Sequence, residues 1–185
     1  MSLTLENIEC LFGNAGRRLY GGEAITQREH GLQAAWLAER DGADDALIAA
    51  SLLHDLGHML FEQADSALAS GEDDLHQYRV LPFLRGLFPA AVVEPIGLHV
   101  EAKRYLCATE PGYLESLSEA SVMSLALQGG SMDADMARQF AVRPYAAAAI
   151  ALRRYDDQAK VVGLATPGLE HFMPRLRALA ISVPV

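Results

Sequence analysis

The chain has 185 residues, of which 51% are hydrophobic, and its 15 lysines and arginines against 24 aspartates and glutamates give a formal charge of −9. This is enough apolar material for one compact domain, so we expect a single domain over residues 1–185 and not a disordered chain. The acidic balance argues against a general nucleic-acid or anionic-membrane binder, because such partners are held mainly by lysine and arginine.

The first predicted element is a helix that follows Thr4, where apolar residues recur at helical spacing until Gly13. Residues 17–25 have no hydrophobic period and contain a glycine pair, which indicates a loop. After this loop, Thr26 and Glu29 form a capping box in which each side chain satisfies a backbone N–H of the other residue. The sequence therefore predicts that a second helix begins here and continues to about residue 41.

A third predicted helix is capped by Asp44 or Asp45 and is apolar on most of its sides, which places it at the centre of the fold. The acidic stretch 62–74 indicates a surface loop. Further helices are predicted at 76–88, 90–107, 113–128, 132–140, 144–160 and beyond 167. No segment has the sustained alternation of a strand, so we predict an all-α domain without a linker or internal repeat.

Two cysteines, Cys10 and Cys107, lie far apart without a CxxC motif. This spacing favours reduced thiols over a disulfide framework or a thiolate metal site. No stretch approaches ~18 uninterrupted apolar residues, and no basic segment followed by an apolar one begins the chain. We therefore expect a cytoplasmic protein without a membrane span; the sequence does not indicate its oligomeric state.

Histidines are concentrated in one part of the chain, since five of the six lie between His30 and His99. A single histidine on an apolar face is more often a hydrogen-bonded core residue than a ligand, but five of them weaken that interpretation. The pair His54-Asp55 is expected at the end of the third helix, where neighbours point about 100° apart. His54 could then bind one ion while the carboxylate bridges to a second. The alternative is a helix C-terminus whose histidine interacts with the dipole.

Four imidazoles and two carboxylates from different predicted helices make a candidate dinuclear metal site. Each ion would receive about two histidines and carboxylate oxygen and would keep open positions. Such a donor set suits non-haem iron, although manganese, zinc or nickel stay open on ligand type. The predicted ligands are His30, His54, Asp55, His76, His99 and Asp156.

This ordered set resembles the HD-domain superfamily of helical metalloproteins. The neighbouring residues resemble one branch, the PhnZ-type mixed-valent diiron oxygenases, which cleave phosphonates and are related to myo-inositol oxygenase. The resemblance extends from about Tyr20 to Lys160. It implies an HD-domain helical bundle that holds two Fe ions as Fe(II)/Fe(III) and uses O2 to cleave the C–P bond of a small 1-hydroxyphosphonate. The expected substrate is 2-amino-1-hydroxyethylphosphonate, which would give glycine and phosphate.

The resemblance also implies substrate contacts. Tyr20 and Glu23 match a Tyr-x-x-Glu motif in which the tyrosine guards a vacant iron position until substrate displaces it and the glutamate receives the amino end. Without the resemblance, they would be an interfacial tyrosine and a solvated glutamate. The positions that match phosphonate contacts in this branch are His58, Lys103, Ser121 and Arg153.

Helical spacing agrees with the two cationic contacts. Lys103 follows His99 by four residues and Arg153 precedes Asp156 by three, so both cations are expected on the ligand faces of their helices. There they would donate charge-assisted hydrogen bonds to a phosphonate. Each contact has a plainer alternative. The two cations could be solvated helix charges, Ser121 could be a cap or first-turn residue, and His58 could interact with the dipole at a helix C-terminus.

Asp157 competes with Asp156 for the last ligand position. The pattern of an arginine, two residues and then the ligand selects Asp156, with Lys160 one turn further as its expected ion-pair partner. Asp157 is then expected to face outward. Residues 161–185, including His171, carry no motif and are expected to serve packing.

Two other functions stay open at this level. An HD-type metal-dependent phosphohydrolase would use the same ligands with a metal-activated water and no oxygen. A non-catalytic helical sensor or scaffold would keep the fold alone. Tyr20 and Glu23 argue against the first, and the complete ligand set argues against the second. The substrate's tail is open among amino, trimethylammonio and hydroxymethyl groups.

Overall fold

The computed structural model describes residues 3–61 and 71–181. Within these residues the chain is helical, with a short 3-10 turn at Ala15–Arg17 and one isolated antiparallel bridge between Leu19 and Thr26 in place of any sheet. The predicted all-α fold class is confirmed. The helices are α1 (Leu5–Gly13), α2 (Gln27–Arg40), α3 (Asp45–Leu53), α4 (Leu56–Leu60), α5 (His76–Arg79), α6 (Leu81–Leu84), α7 (Ala90–Thr109), α8 (Tyr113–Ser116), α9 (Glu119–Leu127), α10 (Ala134–Ala141), α11 (Ala146–Gln158) and α12 (Leu169–Leu179).

The first three helices begin where the sequence predicts. Thr4 caps α1, and the predicted capping box starts α2, since the Glu29 N–H donates to Thr26 Oγ1 at 3.2 Å and the Thr26 N–H donates to Glu29 Oε2 at 2.7 Å. The choice between two aspartates for α3 falls on Asp44, whose Oδ1 accepts from the Leu47 N–H at 2.8 Å. Local capping chemistry therefore fixes where these helices start.

The prediction that His54-Asp55 lies at the end of the third helix is confirmed, because His54 directly follows Leu53, but the predicted helical geometry does not continue through Asp55. Helix α3 ends at Leu53 and α4 begins after Asp55, whose φ of −102° and ψ of 15° are not helical. His54 Nδ1 lies 2.9 Å from the Ser51 carbonyl oxygen, which the next helical turn would otherwise use. The pair therefore lies in a break between two helices.

Two long predicted helices are also divided. The segment 76–88 forms α5 and α6, because Pro82, near the start of α6, lacks the N–H that a continuous helix would use. The segment 113–128 forms α8 and α9, separated where Leu117 is extended and Ser118 caps α9. Residues 62–70 of the predicted acidic loop lie outside the described residues, and residues 71–74 are not helical.

Helix α3 lies at the centre, as predicted, with six consecutive residues from Ile48 to Leu53 buried. It packs against α2, α7 and α12, and α11 packs across α7 and α2. Gly31 lets α2 approach α3 closely, since a Cβ there would lie 2.8 Å from the Leu52 carbonyl oxygen. This packing brings the ligand-bearing segments of four helices to one place.

Part of the C-terminal segment packs in the core, as predicted, whereas Val161, Val162 and Ile181 are exposed. One face of α12, from Leu169 to Leu176, is buried in the main core. His171 lies outside that face and pairs with Glu39 at 2.9 Å. Among the described residues, no helix combines the length and apolar character needed to cross a bilayer.

Candidate metal centre

Four histidine rings meet in the interior, and each is held by its Nδ1 atom. His30 lies on α2, His54 in the break after α3, His76 at the start of α5 and His99 on α7. A donor at Nδ1 fixes the tautomer that leaves Nε2 as a lone pair for a cation. The Nδ1 atoms lie 2.8 Å from Ala159 O, 2.9 Å from Ser51 O, 2.8 Å from Asp74 Oδ1 and 2.7 Å from Ile96 O, respectively.

The four Nε2 atoms form two close pairs. His30 Nε2 lies 3.1 Å from His54 Nε2, and His76 Nε2 lies 3.2 Å from His99 Nε2. With both Nδ1 atoms of a pair protonated, two neutral rings would direct lone pairs at each other. Each pair therefore requires a shared cation, which is a proton or a metal ion.

Asp55 lies between the two pairs and offers one oxygen to each. Its Oδ2 is 3.5 Å from His30 Nε2 and 3.4 Å from His54 Nε2, whereas its Oδ1 is 3.3 Å from His76 Nε2 and 3.7 Å from His99 Nε2. A carboxylate in this position can bridge two ions. The sequence prediction of a shared aspartate thus matches the arrangement, although the residue lies in a helix break.

Asp156, on α11, lies beside the first histidine pair, His30 and His54. Its Oδ1 lies 3.3 Å from His30 Nε2 and is buried without a hydrogen-bond partner. An orphaned buried carboxylate oxygen beside two lone-pair nitrogens fits a metal ligand. Two clusters with metal-ligand spacing result, and together they contain all six predicted ligands: His30, His54 and Asp156, and Asp55, His76 and His99.

The charges of the centre suit cation binding. Although burial opposes ionisation, nearby His54 and hydrogen bonds from His30 and His76 hold the pKa of Asp55 well below its usual range. Burial also opposes a charge on His76, but hydrogen bonds to Asp55 and Asp74 raise its pKa to about 10, whereas burial and the charge of His76 lower the pKa of His99 to about 3. One proton per pair is the pattern expected when a cation is shared.

A cavity of about 110 Å³ opens on this centre. Four of the predicted ligands line it: Asp55, His76, His99 and Asp156. The structure also brings all six predicted substrate contacts to its wall: Tyr20, Glu23, His58, Lys103, Ser121 and Arg153. A small molecule in the cavity would touch both groups.

Lys103 and Arg153 are buried, with 2% and 4% of their surface exposed, so the interpretation as solvated helix charges is wrong. Lys103 Nζ donates to Ser124 Oγ at 2.8 Å. Burial and the charge of Arg153 lower the pKa of Lys103 to about 7. Lys103 and Arg153 thus place two buried basic side chains in the wall of the cavity.

Ser121 joins a third cation to this wall. Ser118 caps α9, while Ser121 lies in the first turn and its Oγ accepts from Lys160 Nζ at 3.0 Å and from Arg153 at 3.4 Å. The predicted ion pair between Lys160 and Asp156 is wrong: Lys160 Nζ lies 3.6 Å from Glu23 Oε1. Since α11 ends at Gln158, helical spacing no longer applies to residue 160.

Tyr20 and Glu23 lie in the loop before α2. The Tyr20 ring stacks on His30 with centroids 3.9 Å apart and planes 14° apart. Burial and the charges of Asp55 and Asp156 raise the pKa of Tyr20 well above its ordinary value, so the hydroxyl keeps its proton. Glu23 Oε1 is buried without a hydrogen-bond partner.

His58 faces an acidic partner that is absent from the sequence predictions. Its Nδ1 lies 3.0 Å from Asp74 Oδ2, and its ring stacks on that of His76 with centroids 4.0 Å apart. The same aspartate holds His76 through Oδ1. Asp74 was assigned only to a surface loop, although its position two residues before a predicted ligand was a usable signal.

Asp157 does not face outward, and that prediction is wrong. It pairs with Arg153 and accepts a hydrogen bond from the Tyr113 hydroxyl. Its position four residues after Arg153 on α11 accounts for the contact. The sequence predicts Asp157 only as a rival of Asp156 and indicates no role for Tyr113.

Comparisons with known proteins find relatives over most of the chain. No protein-family model matches the chain. It is 39% identical over 175 residues to a [1-hydroxy-2-(trimethylamino)ethyl]phosphonate dioxygenase (glycine-betaine-forming) of Leisingera caerulea, covering 95% of this chain and 89% of that protein. It is 45% identical over 166 residues to a hydroxymethylphosphonate dioxygenase of Gimesia maris, covering 88% and 81%. An uncharacterized protein of Acanthamoeba polyphaga mimivirus is 33% identical over 172 residues, with 91% and 77% covered.

Proposed function

Because the chain belongs to the PhnZ-type HD-domain phosphonate dioxygenases, we propose that it uses O2 to cleave the C–P bond of a small 1-hydroxyphosphonate. One observation carries the proposal: two Nε2-facing histidine pairs share Asp55 beneath a cavity whose wall holds buried Lys103 and Arg153. The first part of this arrangement suits two metal ions, and the second suits an anionic substrate.

The ligands divide between two ions that differ in how many positions the protein fills. His30, His54 and Asp156 would hold one ion, His76 and His99 the other, and Asp55 would bridge them. We propose two iron ions in the mixed-valent Fe(II)/Fe(III) state, since histidine and carboxylate donors with open positions suit non-haem iron. Iron bound there would supply the redox chemistry with O2 that C–P oxidation requires.

The chain's own residues bind and orient the substrate. Arg153, Lys103 and Ser121 present donors to phosphonate oxygens from one wall, and His58 does so from the side of α4. Tyr20 keeps its phenolic proton beside Asp55, and we propose that the substrate hydroxyl displaces the Tyr20 hydroxyl from its place beside Asp55. The residues therefore hold C1 of the substrate over the metal centre and keep the phosphonate charge neutralised.

Glu23 supports an amino substrate. Its buried Oε1 accepts no hydrogen bond, although Lys160 Nζ lies 3.6 Å away, and Glu23 lines the cavity, so an ammonium group entering there could donate the missing hydrogen bond. We propose 2-amino-1-hydroxyethylphosphonate, which with one O2 gives glycine and phosphate. The two named relatives act on a trimethylammonio and a hydroxymethyl compound, and those two substrates are the alternatives.

A substrate panel tests the function. Purified protein is given each of the three hydroxyphosphonates, and phosphate release and O2 uptake are measured together with iron content and electron paramagnetic resonance after partial reduction. The proposal expects one O2 consumed per phosphate and a mixed-valent signal that changes with substrate. Oxygen-independent phosphate release from phosphate esters would instead establish a phosphohydrolase, and no turnover with no metal would establish a scaffold.

A cytoplasmic location is also proposed. Cys10 and Cys107 are both free, which fits a reducing compartment.

A further inference from the structure

Arg153 is held on several sides by its own helix and by α8. Its Nη1 donates to Asp156 Oδ2 at 2.6 Å, its Nη2 pairs with Asp157, and its Nε donates to the Tyr113 hydroxyl at 3.3 Å. Tyr113 in turn donates to Asp157. The guanidinium is therefore enclosed by a carboxylate at each end and a hydroxyl behind it.

These contacts leave little freedom for the guanidinium. Of its five N–H donors, three are used by Asp156, Asp157 and Tyr113, and a fourth makes a contact of 3.4 Å with Ser121 Oγ in the cavity wall. One N–H on Nη1 is thus left for a ligand, in a plane that these contacts fix, and Arg153 lines the cavity. Arginine binds phosphonate-like anions through such a fixed fork, so orientation matters more than charge alone.

Asp157 also affects how Arg153 uses the metal ligand Asp156. Because Asp157 takes the second amino group, Arg153 contacts only Oδ2 of Asp156, and Oδ1 stays free of hydrogen bonds beside His30. Two carboxylates thus share one buried guanidinium.

We propose that Asp157 and Tyr113 are positioning residues that orient Arg153 for the substrate's phosphonate group. The inference rests on the proposed function for the identity of that group. Asp157 and Tyr113 would affect anion binding through Arg153 and would not themselves bind the metal ions.

Asp157→Asn separates two explanations because they predict opposite changes in anion binding. If Asp157 were only a nearby negative charge, its removal would strengthen anion binding. If it positions Arg153, its removal weakens anion binding by about tenfold, the size expected for loss of a charge-assisted hydrogen bond. Tyr113→Phe removes the hydroxyl without changing the charge, so it isolates the positioning effect and should also weaken binding.

The experiment measures inorganic phosphate binding to the metal-loaded protein by calorimetry, and KM and kcat for the hydroxyphosphonate. Both variants should raise the dissociation constant and KM, keep the metal content and lower kcat less than they raise KM; their double variant should cost less than the sum, as coupled residues do. The matched control is Glu110→Gln, which removes one carboxylate from the exposed pair with Arg154 and should change neither constant.

Tighter phosphate binding by Asp157→Asn, or unchanged binding by Tyr113→Phe, would overturn the inference. If Asp157→Asn does not fold, Tyr113→Phe decides alone. The two proposals can fail separately. If the wild-type protein binds phosphate and both variants weaken that binding, but no hydroxyphosphonate is cleaved, the proposed function fails and the positioning inference stands.

Discussion

Asp55 lies 3.3 Å from His76 Nε2 through Oδ1, while its other oxygen faces the histidine pair on the opposite side. No other described carboxylate reaches both pairs within 4 Å: Asp156 contacts only His30 and His54, and Asp74 contacts His76 from behind. Loss of Asp55 should therefore damage both halves of the centre at once.

The first prediction concerns Asp55→Ala. We expect metal content to fall from about two ions per chain to one or fewer and turnover to fall by more than ~100-fold, because a shared ligand is lost and the Nε2 pairs keep no bridging charge. Elemental analysis and phosphate release measure both effects. Asp45→Ala, at an exposed residue that pairs with Arg175, is the control and should retain both. A variant of Asp55 with two ions and normal turnover would contradict the bridging arrangement.

The second prediction concerns metal removal. Without metal, a proton must take the place of the metal ion between the His30 and His54 Nε2 atoms and beside the buried Asp156 carboxylate, and the stabilisation that comes from metal binding is lost. Binding at 100 to 1,000 times the dissociation constant adds roughly 3–4 kcal/mol, which corresponds to about 5–15 °C in Tm for a chain of this size. Thermal unfolding with a chelator, followed by Fe(II) addition, measures the loss and its recovery. An unchanged Tm in chelated protein of verified zero metal content would rule out this stabilisation.

The third prediction concerns pH and Lys103. Its pKa is lowered to about 7 by burial and by Arg153, so the ammonium is lost as pH rises through about 7. Since the phosphonate needs that charge, kcat/KM should decrease above pH 7, while substrate binding raises the pKa and makes kcat alone less sensitive. The pH profile of kcat/KM measures this decrease.

Lys103→Met separates this effect from the titration of the phosphonate itself. The variant should have at least about tenfold lower kcat/KM at pH 6, where the wild-type ammonium is charged, and a smaller difference at pH 9. A change of kcat/KM with pH that both proteins share is assigned to ionisation of the substrate phosphonate. A constant ratio across this range would assign the charge requirement elsewhere.

The sequence predicted the starts of helices better than their ends. Thr4, Thr26 and Asp44 cap helices through contacts three residues away, which a sequence records directly. At His54-Asp55 the chain leaves helical geometry at Asp55, whose carboxylate faces His30 and His76 from other helices, and that arrangement follows from tertiary packing. Local patterns therefore could not reveal it.

The six ligands were proposed from their order along the chain and a family resemblance, and the structure brings all of them together. Their supporting residues are not predicted: Tyr113 contacts Arg153 across 40 positions of the sequence, whereas Asp74 and Asp157 lie two and four residues from His76 and Arg153 and could have been considered from that spacing. Lys160 was placed by helical spacing beyond the end of α11, where that spacing no longer holds. Such errors arise where tertiary packing decides the partner.

The last prediction concerns the glycine that lets α4 approach His76. A Cβ added to Gly57 would lie 2.5 Å from the His76 carbonyl oxygen and 3.0 Å from its carbonyl carbon, so Gly57→Ala must displace the backbone that carries the ligand. We expect a lower metal content, turnover reduced by at least about tenfold and a loss of stability of roughly 1–3 kcal/mol from overpacking. Metal analysis, phosphate release and thermal unfolding measure these changes. Gly13→Ala, which meets no atom within 4 Å, is the matched control and should retain metal, activity and stability. If Gly57→Ala behaved like Gly13→Ala, the close approach of α4 would not be what holds His76 against the second histidine of its pair.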